Sequence, residues 1–102
     1  MSGLKVEILE RRRNPLLSRE EVRARLIFDG GTPSRGEVRE ALARVLGRDV
    51  GVIFVRRILT EYGKTEAKVL AMVYDRREEA LKIEPEHIIR RNEPPPAESG
   101  EG

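Results

Sequence analysis

Two apolar runs separated by six residues leave this chain little choice of fold. Val52-Ile53-Phe54-Val55-Arg56-Arg57-Ile58-Leu59-Thr60 and Ala67-Lys68-Val69-Leu70-Ala71-Met72-Val73-Tyr74 are dense in β-branched and aromatic residues. The link between them, Glu61-Tyr62-Gly63-Lys64-Thr65-Glu66, contains a glycine and is short enough for a hairpin. A chain that is 37% charged and 38% hydrophobic has few other places to build a core, so the hairpin is expected to form its centre. At 102 residues one globular domain is expected over 1–92, followed by a disordered acidic tail over 93–102 led by Pro94-Pro95-Pro96.

The rest of the pattern completes a sheet. Leu4, Val6 and Ile8 alternate with Lys5, Glu7 and Leu9, which predicts a strand over Leu4–Glu10. It is expected to end at Arg11-Arg12-Arg13, before Asn14-Pro15, because proline cannot donate to a ladder. Ser18 and Glu21 are spaced as a capping box. Val22, Ala24, Leu26 and Phe28, however, alternate with Arg23, Arg25 and Ile27, and strict period two predicts a strand from about Glu21 to Phe28, with room for one helical turn before it. After the loop Asp29–Pro33, Ser34 and Glu37 form a second capping box. Val38, Ala41, Leu42, Val45 and Leu46 make a helical stripe that Gly47 can terminate, with Arg35, Glu37, Arg39, Glu40 and Arg44 mostly off it. Asp75 is placed to cap a helix through Glu78–Leu81, and Pro85 to open another at its first position. The order β-β-α-β-β-α implies an α+β fold, a four-stranded antiparallel sheet with packed helices. Strand order within the sheet stays open.

The chemistry available is narrow. With no cysteine there is no disulfide, no thiolate zinc site and no thiol nucleophile. His87, the one histidine, sits between Glu84 and Glu86 and reads more simply as a packing or capping residue than as a ligand or base. Asp75, Glu78 and Glu79 have no ligand loop, and their place at a helix start accounts for them. Gly51–Arg56 has the outline of an acylphosphatase phosphate loop but lacks its glutamine and partner asparagine. No catalytic residue, metal, cofactor or small-molecule substrate is expected. The chain has no apolar signal core and no run approaching the ~20 apolar residues of a membrane span, so cytoplasmic residence without a membrane partner is expected.

The cations remain. Glu93, Glu98 and Glu101 give the tail a charge of −3, so a total of +2 leaves +5 on residues 1–92. Sixteen of the twenty cations are arginine, whose planar fork suits phosphate. They recur in pairs and triplets, Arg23 and Arg25, Arg76 and Arg77 among them. Aromatics make up only 4% and are not interleaved with basic residues, which disfavours a stacking platform for single strands and favours recognition of folded RNA by shape and backbone. The candidates for RNA contact are Arg11, Arg12, Arg13, Arg35, Arg56, Arg57, Tyr62, Lys64, Arg90 and Arg91. On a period-two strand Arg56 and Arg57 face opposite sides, so at most one of them joins a given RNA-facing surface. The rival reading is a protein-interaction module without nucleic-acid binding, whose arginines pair with the eighteen acids.

Asn14-Pro15-Leu16-Leu17-Ser18-Arg19, Thr32-Pro33-Ser34-Arg35, Val38-Arg39, Val52-Ile53-Phe54-Val55, Tyr62-Gly63-Lys64, Val73-Tyr74-Asp75 and Glu84-Pro85-Glu86-His87 occur in one order. Together they resemble the S24e family of small-subunit ribosomal proteins, shared by archaea and eukaryotes, over roughly residues 4–92. The resemblance implies a non-catalytic constituent of the small (30S) ribosomal subunit, bound to 16S-type ribosomal RNA beside neighbouring ribosomal proteins and monomeric off the ribosome. Eukaryotic members carry a lysine-rich extension after the domain. The short acidic tail here resembles the archaeal form, which leaves RNA contacts to the domain itself.

Overall fold

The alternating runs pair into one antiparallel sheet: β1 (Lys5–Asn14), β2 (Arg19–Ile27), β3 (Ile53–Thr60) and β4 (Glu66–Tyr74), in the order β1-β2-β4-β3. The computed structural model describes residues 4–60 and 65–94. Helices α1 (Arg35–Leu46), α2 (Arg77–Ile83) and α3 (Glu86–Asn92) complete the expected α+β order, the final helical portion being split in two before Glu86.

Period two sorts the side chains between the faces. Val22, Ala24 and Leu26 of β2, Ile53 and Val55 of β3, and Val69, Ala71 and Val73 of β4 share one buried cluster with Val38 and Leu42 of α1. The alternate residues Phe54, Met72 and Tyr74 form a second cluster with Ala80 of α2 and Ile88 of α3. One face is thus covered by α1 and part of the other by the two short helices. The rest of that second face stays in solvent, and Leu9 and Leu59 on it are 48% and 55% exposed.

Several sequence signals form as their chemistry dictates. Ser34 and Glu37 make the reciprocal capping box of α1, and Gly47 ends it at a φ of 68°, in the left-handed region that glycine adopts at least cost. Between Ser18 and Glu21 the strand pattern prevails. β2 begins at Arg19, Ser18 is left-handed at the turn, and the helical turn that precedes it is Pro15–Leu17, capped by Asn14.

Four expectations need correction. β1 does not end at Arg11-Arg12-Arg13 but runs through them to Asn14 after a bulge between Ile8 and Glu10. The register sets Arg12 opposite Glu21 and Arg13 opposite Glu20, so cross-strand charge supports the ladder that three adjacent cations alone would weaken. Asp75 does not cap α2. Arg76 holds the cap position without a side-chain bond, and Asp75, at the end of β4, instead accepts both guanidinium nitrogens of Arg13 at 2.8 and 2.7 Å. Pro85 is the residue before α3 rather than its first. Arg39 is not off the buried side of α1: it is 6% exposed, with its guanidinium 4.9 Å from the centre of the Phe54 ring.

Arg39 is buried because β3 is an outer strand, whose unpaired backbone groups need partners. Asn92 of α3 supplies them as a strand would: its Oδ1 accepts from Val55 N at 2.8 Å and its Nδ2 donates to Val55 O at 2.9 Å. The same amide nitrogen donates to Ile88 O at 2.9 Å. Arg39 Nε donates to Ile53 O at 2.6 Å, and Arg35 adds a 3.0 Å bond to Val55 O. Asn92→Ala leaves the buried Val55 N–H without its acceptor and should cost about 2–3 kcal/mol. A chemical-denaturation midpoint that does not fall would show that the edge finds another partner.

Candidate functional site

The cations of this chain divide into those held by the fold and those left to solvent. The innermost group surrounds Glu84, whose side chain is fully buried. Glu84 accepts the Tyr74 hydroxyl proton and both Arg56 Nε, at 3.0 Å, and Nη2, at 3.3 Å. Arg19, itself buried, donates to the Tyr74 oxygen at 2.8 Å and to Glu21 at 2.9 Å. Burial, reinforced by the Glu84 carboxylate, pushes the Tyr74 phenol up to about 12, so it stays protonated and donates. Arg56 is therefore a structural cation turned toward a buried acid.

Other candidates are also engaged. Arg11 bonds Glu20 at 2.9 Å, and Arg90 bonds Glu86 one helical turn away at 2.8 Å. Arg12 lies 3.5 Å from Glu10 with its side chain 72% exposed. The Arg13 fork holds the Asp75 carboxyl below the usual carboxylate range. Among the described residues no group of three His, Asp or Glu side chains is placed to hold a metal ion. Arg35 lies partly buried against Val55 O. Loss of hydration, and then the nearby Arg91 guanidinium, push its pKa down from the ordinary value. Tyr62 and Lys64 lie outside the described residues.

A different group emerges on the uncovered part of the second sheet face. In register across β2, β4 and β3, Arg23 stands beside Leu70 and Leu70 beside Arg57. In the next row Lys68 pairs with Arg25 on one side and with Leu59 on the other. Among the described residues the side chains of Arg57 and Lys68 have no hydrogen bond or ion pair, and that of Arg23 has only a 3.5 Å contact with Glu10. A depression of about 440 Å³ lies over these rows, lined by Leu9, Arg23, Arg57, Leu59 and Lys68. A second, of about 300 Å³, adjoins it through Arg57 and Leu70 and is lined by Arg56, His87 and Arg91. Among the described residues neither has a carboxylate in its lining, whereas a smaller depression that shares Arg23 and Leu70 contains Glu10 and Glu21, and the one beside the start of α1 contains Asp29, Glu37 and Glu40.

The structure thus brings Arg56, Arg57 and Arg91 together, which corrects the expectation that Arg56 and Arg57 face opposite sides: the β3 register shifts between Val55 and Arg57, period two breaks there, and both arginines line one depression. It sets Arg11, Arg12, Arg13 and Arg90 apart in ion pairs. Lys68 was not apparent among the candidates. Its signal was its place in the β4 alternation, on the side opposite Ala67, Val69 and Ala71.

Comparison with known proteins finds a family and named relatives. The family model for ribosomal protein S24e matches residues 4–93. The small ribosomal subunit protein eS24 of Archaeoglobus fulgidus is 49% identical over 92 residues, covering 90% of this chain and 84% of that protein. The proteins of the same name from Methanopyrus kandleri and Methanosarcina mazei are 42% and 35% identical, covering 87% and 92% of this chain and 78% and 93% of their own lengths.

The matched region ends at Glu93, which also closes the ion pairing. Glu93 accepts Arg39 Nη2 at 2.6 Å and the Arg77 fork at 2.8 and 2.7 Å. The hydrogen bonds from Arg77, and then those from Arg39, hold its carboxyl at about 2 against an ordinary value of 4.5. A carboxyl with a lowered folded pKa stabilises the fold fully above its unfolded pKa and loses that contribution as pH falls through the folded one. Glu93→Gln should lower stability at neutral pH and make the decline between about pH 5 and pH 2 shallower than in the parent chain. Equal acid limbs in thermal melts across that range would place the linkage on other groups.

Proposed function

The chain belongs to the ribosomal protein S24e family of the small ribosomal subunit, and from that premise we propose that it binds ribosomal RNA through backbone and shape contacts, supporting subunit assembly and translation. Membership of the family carries the reading. The protein is a structural constituent rather than an enzyme, and its place of work is the ribosome in the cytoplasm. Its partners are the small-subunit RNA and neighbouring ribosomal proteins, and off the ribosome it is a monomer. Residues 1–92 make the RNA-binding domain, Glu93 anchoring its end, and the acidic tail beyond adds no phosphate contact.

The rival reading, a protein-interaction module without nucleic-acid binding, draws support from the ion pairs of Arg11, Arg13, Arg39, Arg56 and Arg77. Arg57, Lys68 and Arg91 have no such pair among the described residues and favour RNA. Cations without a protein counter-charge can exchange condensed counterions for phosphate without breaking an internal pair.

Filter binding of the full chain to small-subunit RNA transcribed from Archaeoglobus fulgidus should show log affinity falling linearly with log salt. An affinity indifferent to salt would sink the phosphate mechanism, and co-migration with a protein partner away from ribosomal subunits would favour the rival.

A further inference from the structure

We propose that the uncovered part of the second sheet face, the trough centred on Arg57 and Lys68, seats the backbone of a double-stranded segment of ribosomal RNA. The proposal rests on the RNA-binding reading and assigns it a surface.

Charge comes first. Among the described residues the adjoining depressions that meet at Arg57 and Leu70 are lined by cations and no carboxylate, in a chain with eighteen acids, and Glu10 and Glu21 line only the next depression, on the far side of Arg23 and Leu70. Two of those cations, Arg57 and Lys68, make no side-chain hydrogen bond or ion pair among the described residues, while Arg11, Arg13 and Arg90 elsewhere have acidic partners. An anion placed here meets positive charge that the fold has not used.

Shape decides which form of RNA fits. The register puts Arg23 and Arg57 on either side of Leu70, two strand spacings or about 10 Å apart, on a broad and open surface. The minor groove of A-form RNA is wide and shallow, and proteins read it through phosphates and 2′-hydroxyls. An open sheet face with separated cations suits that surface, whereas a single strand needs aromatic platforms for its bases. The floor is leucine instead. Leu9 and Leu59 are about half exposed and offer apolar contact to sugars between the cationic positions.

The test compares two double variants that remove equal charge. Arg57→Gln with Lys68→Gln removes the trough cations, and Arg44→Gln with Lys82→Gln removes two exposed cations outside the trough. With Archaeoglobus fulgidus small-subunit RNA as probe, the trough variant should bind roughly tenfold or more weakly at low salt, with a salt slope smaller by about two. The control pair should change neither by more than a small fraction of that. On the unaltered chain, bound RNA should protect Lys68 from acetylation but leave Lys82 reactive, a readout that does not depend on a variant folding. Generic duplex RNA should compete better than polyuridylate.

Equal weakening by both variants, an unprotected Lys68, or polyuridylate or polyglutamate competing as well as duplex RNA would overturn the trough assignment. RNA binding by the parent chain would then still stand. Absence of salt-dependent binding by the parent chain would instead overturn the underlying reading.

Discussion

The unpaired edge of β3 is the constraint on which much of this structure depends. The sheet order puts β3 on the outside although Ile53, Phe54 and Val55 are its most deeply buried apolar stretch. A buried strand with one open edge faces the cost of orphaned amides and carbonyls and the hazard of pairing with another chain. Side chains resolve both. Asn92 presents an amide to Val55 as a neighbouring strand would, Arg39 reaches across from α1 to the Ile53 carbonyl, and Arg35 adds a second donor to that of Val55. Helices from opposite faces therefore meet at this edge. Glu93 neutralises Arg39 there and links it to Arg77 at the start of α2.

The same economy operates around Glu84. A fully buried carboxylate is expensive unless charge and hydrogen bonds satisfy it. Here Arg56 supplies the charge, the Tyr74 hydroxyl donates, and Arg19 in turn donates to that hydroxyl. The network ties the first residue of β2, the last of β4 and Glu84, just after α2, to the middle of β3. Arginine suits such places because it remains charged, and its fork can bond a carboxylate and a carbonyl or hydroxyl at once.

These arrangements explain what could be read from the sequence. Period two in β2, β3 and β4, the Ser34–Glu37 capping box and Gly47 are local signals, and their energetics are complete within a few residues. The ordered motifs that resemble the S24e family were legible for the same reason. Arg39 and Asn92 were not. Helical spacing alone puts Arg39 beside an apolar stripe, and only the location of β3 at the sheet edge explains why a cation should be drawn inward. Asp75 looked like a cap because a carboxylate before a helix usually is one. Its nearer and stronger partner, Arg13, is 62 residues away in sequence and reaches it only because β1 continues through the arginine triplet. Lys68 was hidden by its alternation within an apolar strand, where the eye follows the buried residues.

Internal pairing also bears on function. A net charge of +5 over the first 92 residues is modest, and spread evenly it would make a weak partner for phosphate. The fold does not spread it evenly. Glu7, Glu10, Glu20, Glu84, Glu86, Glu93 and Asp75 each lie against arginines at edges, helix ends or the buried network. Acids engaged in this way oppose cations elsewhere less, so the positive charge left over gathers where cations lack an ion pair among the described residues. Across the short helices' margin that place is the open sheet face, where Arg57 and Lys68 stand above exposed leucines. The ion pairs that stabilise the edge and the buried network thus also set where the molecule has charge to offer a polyanion.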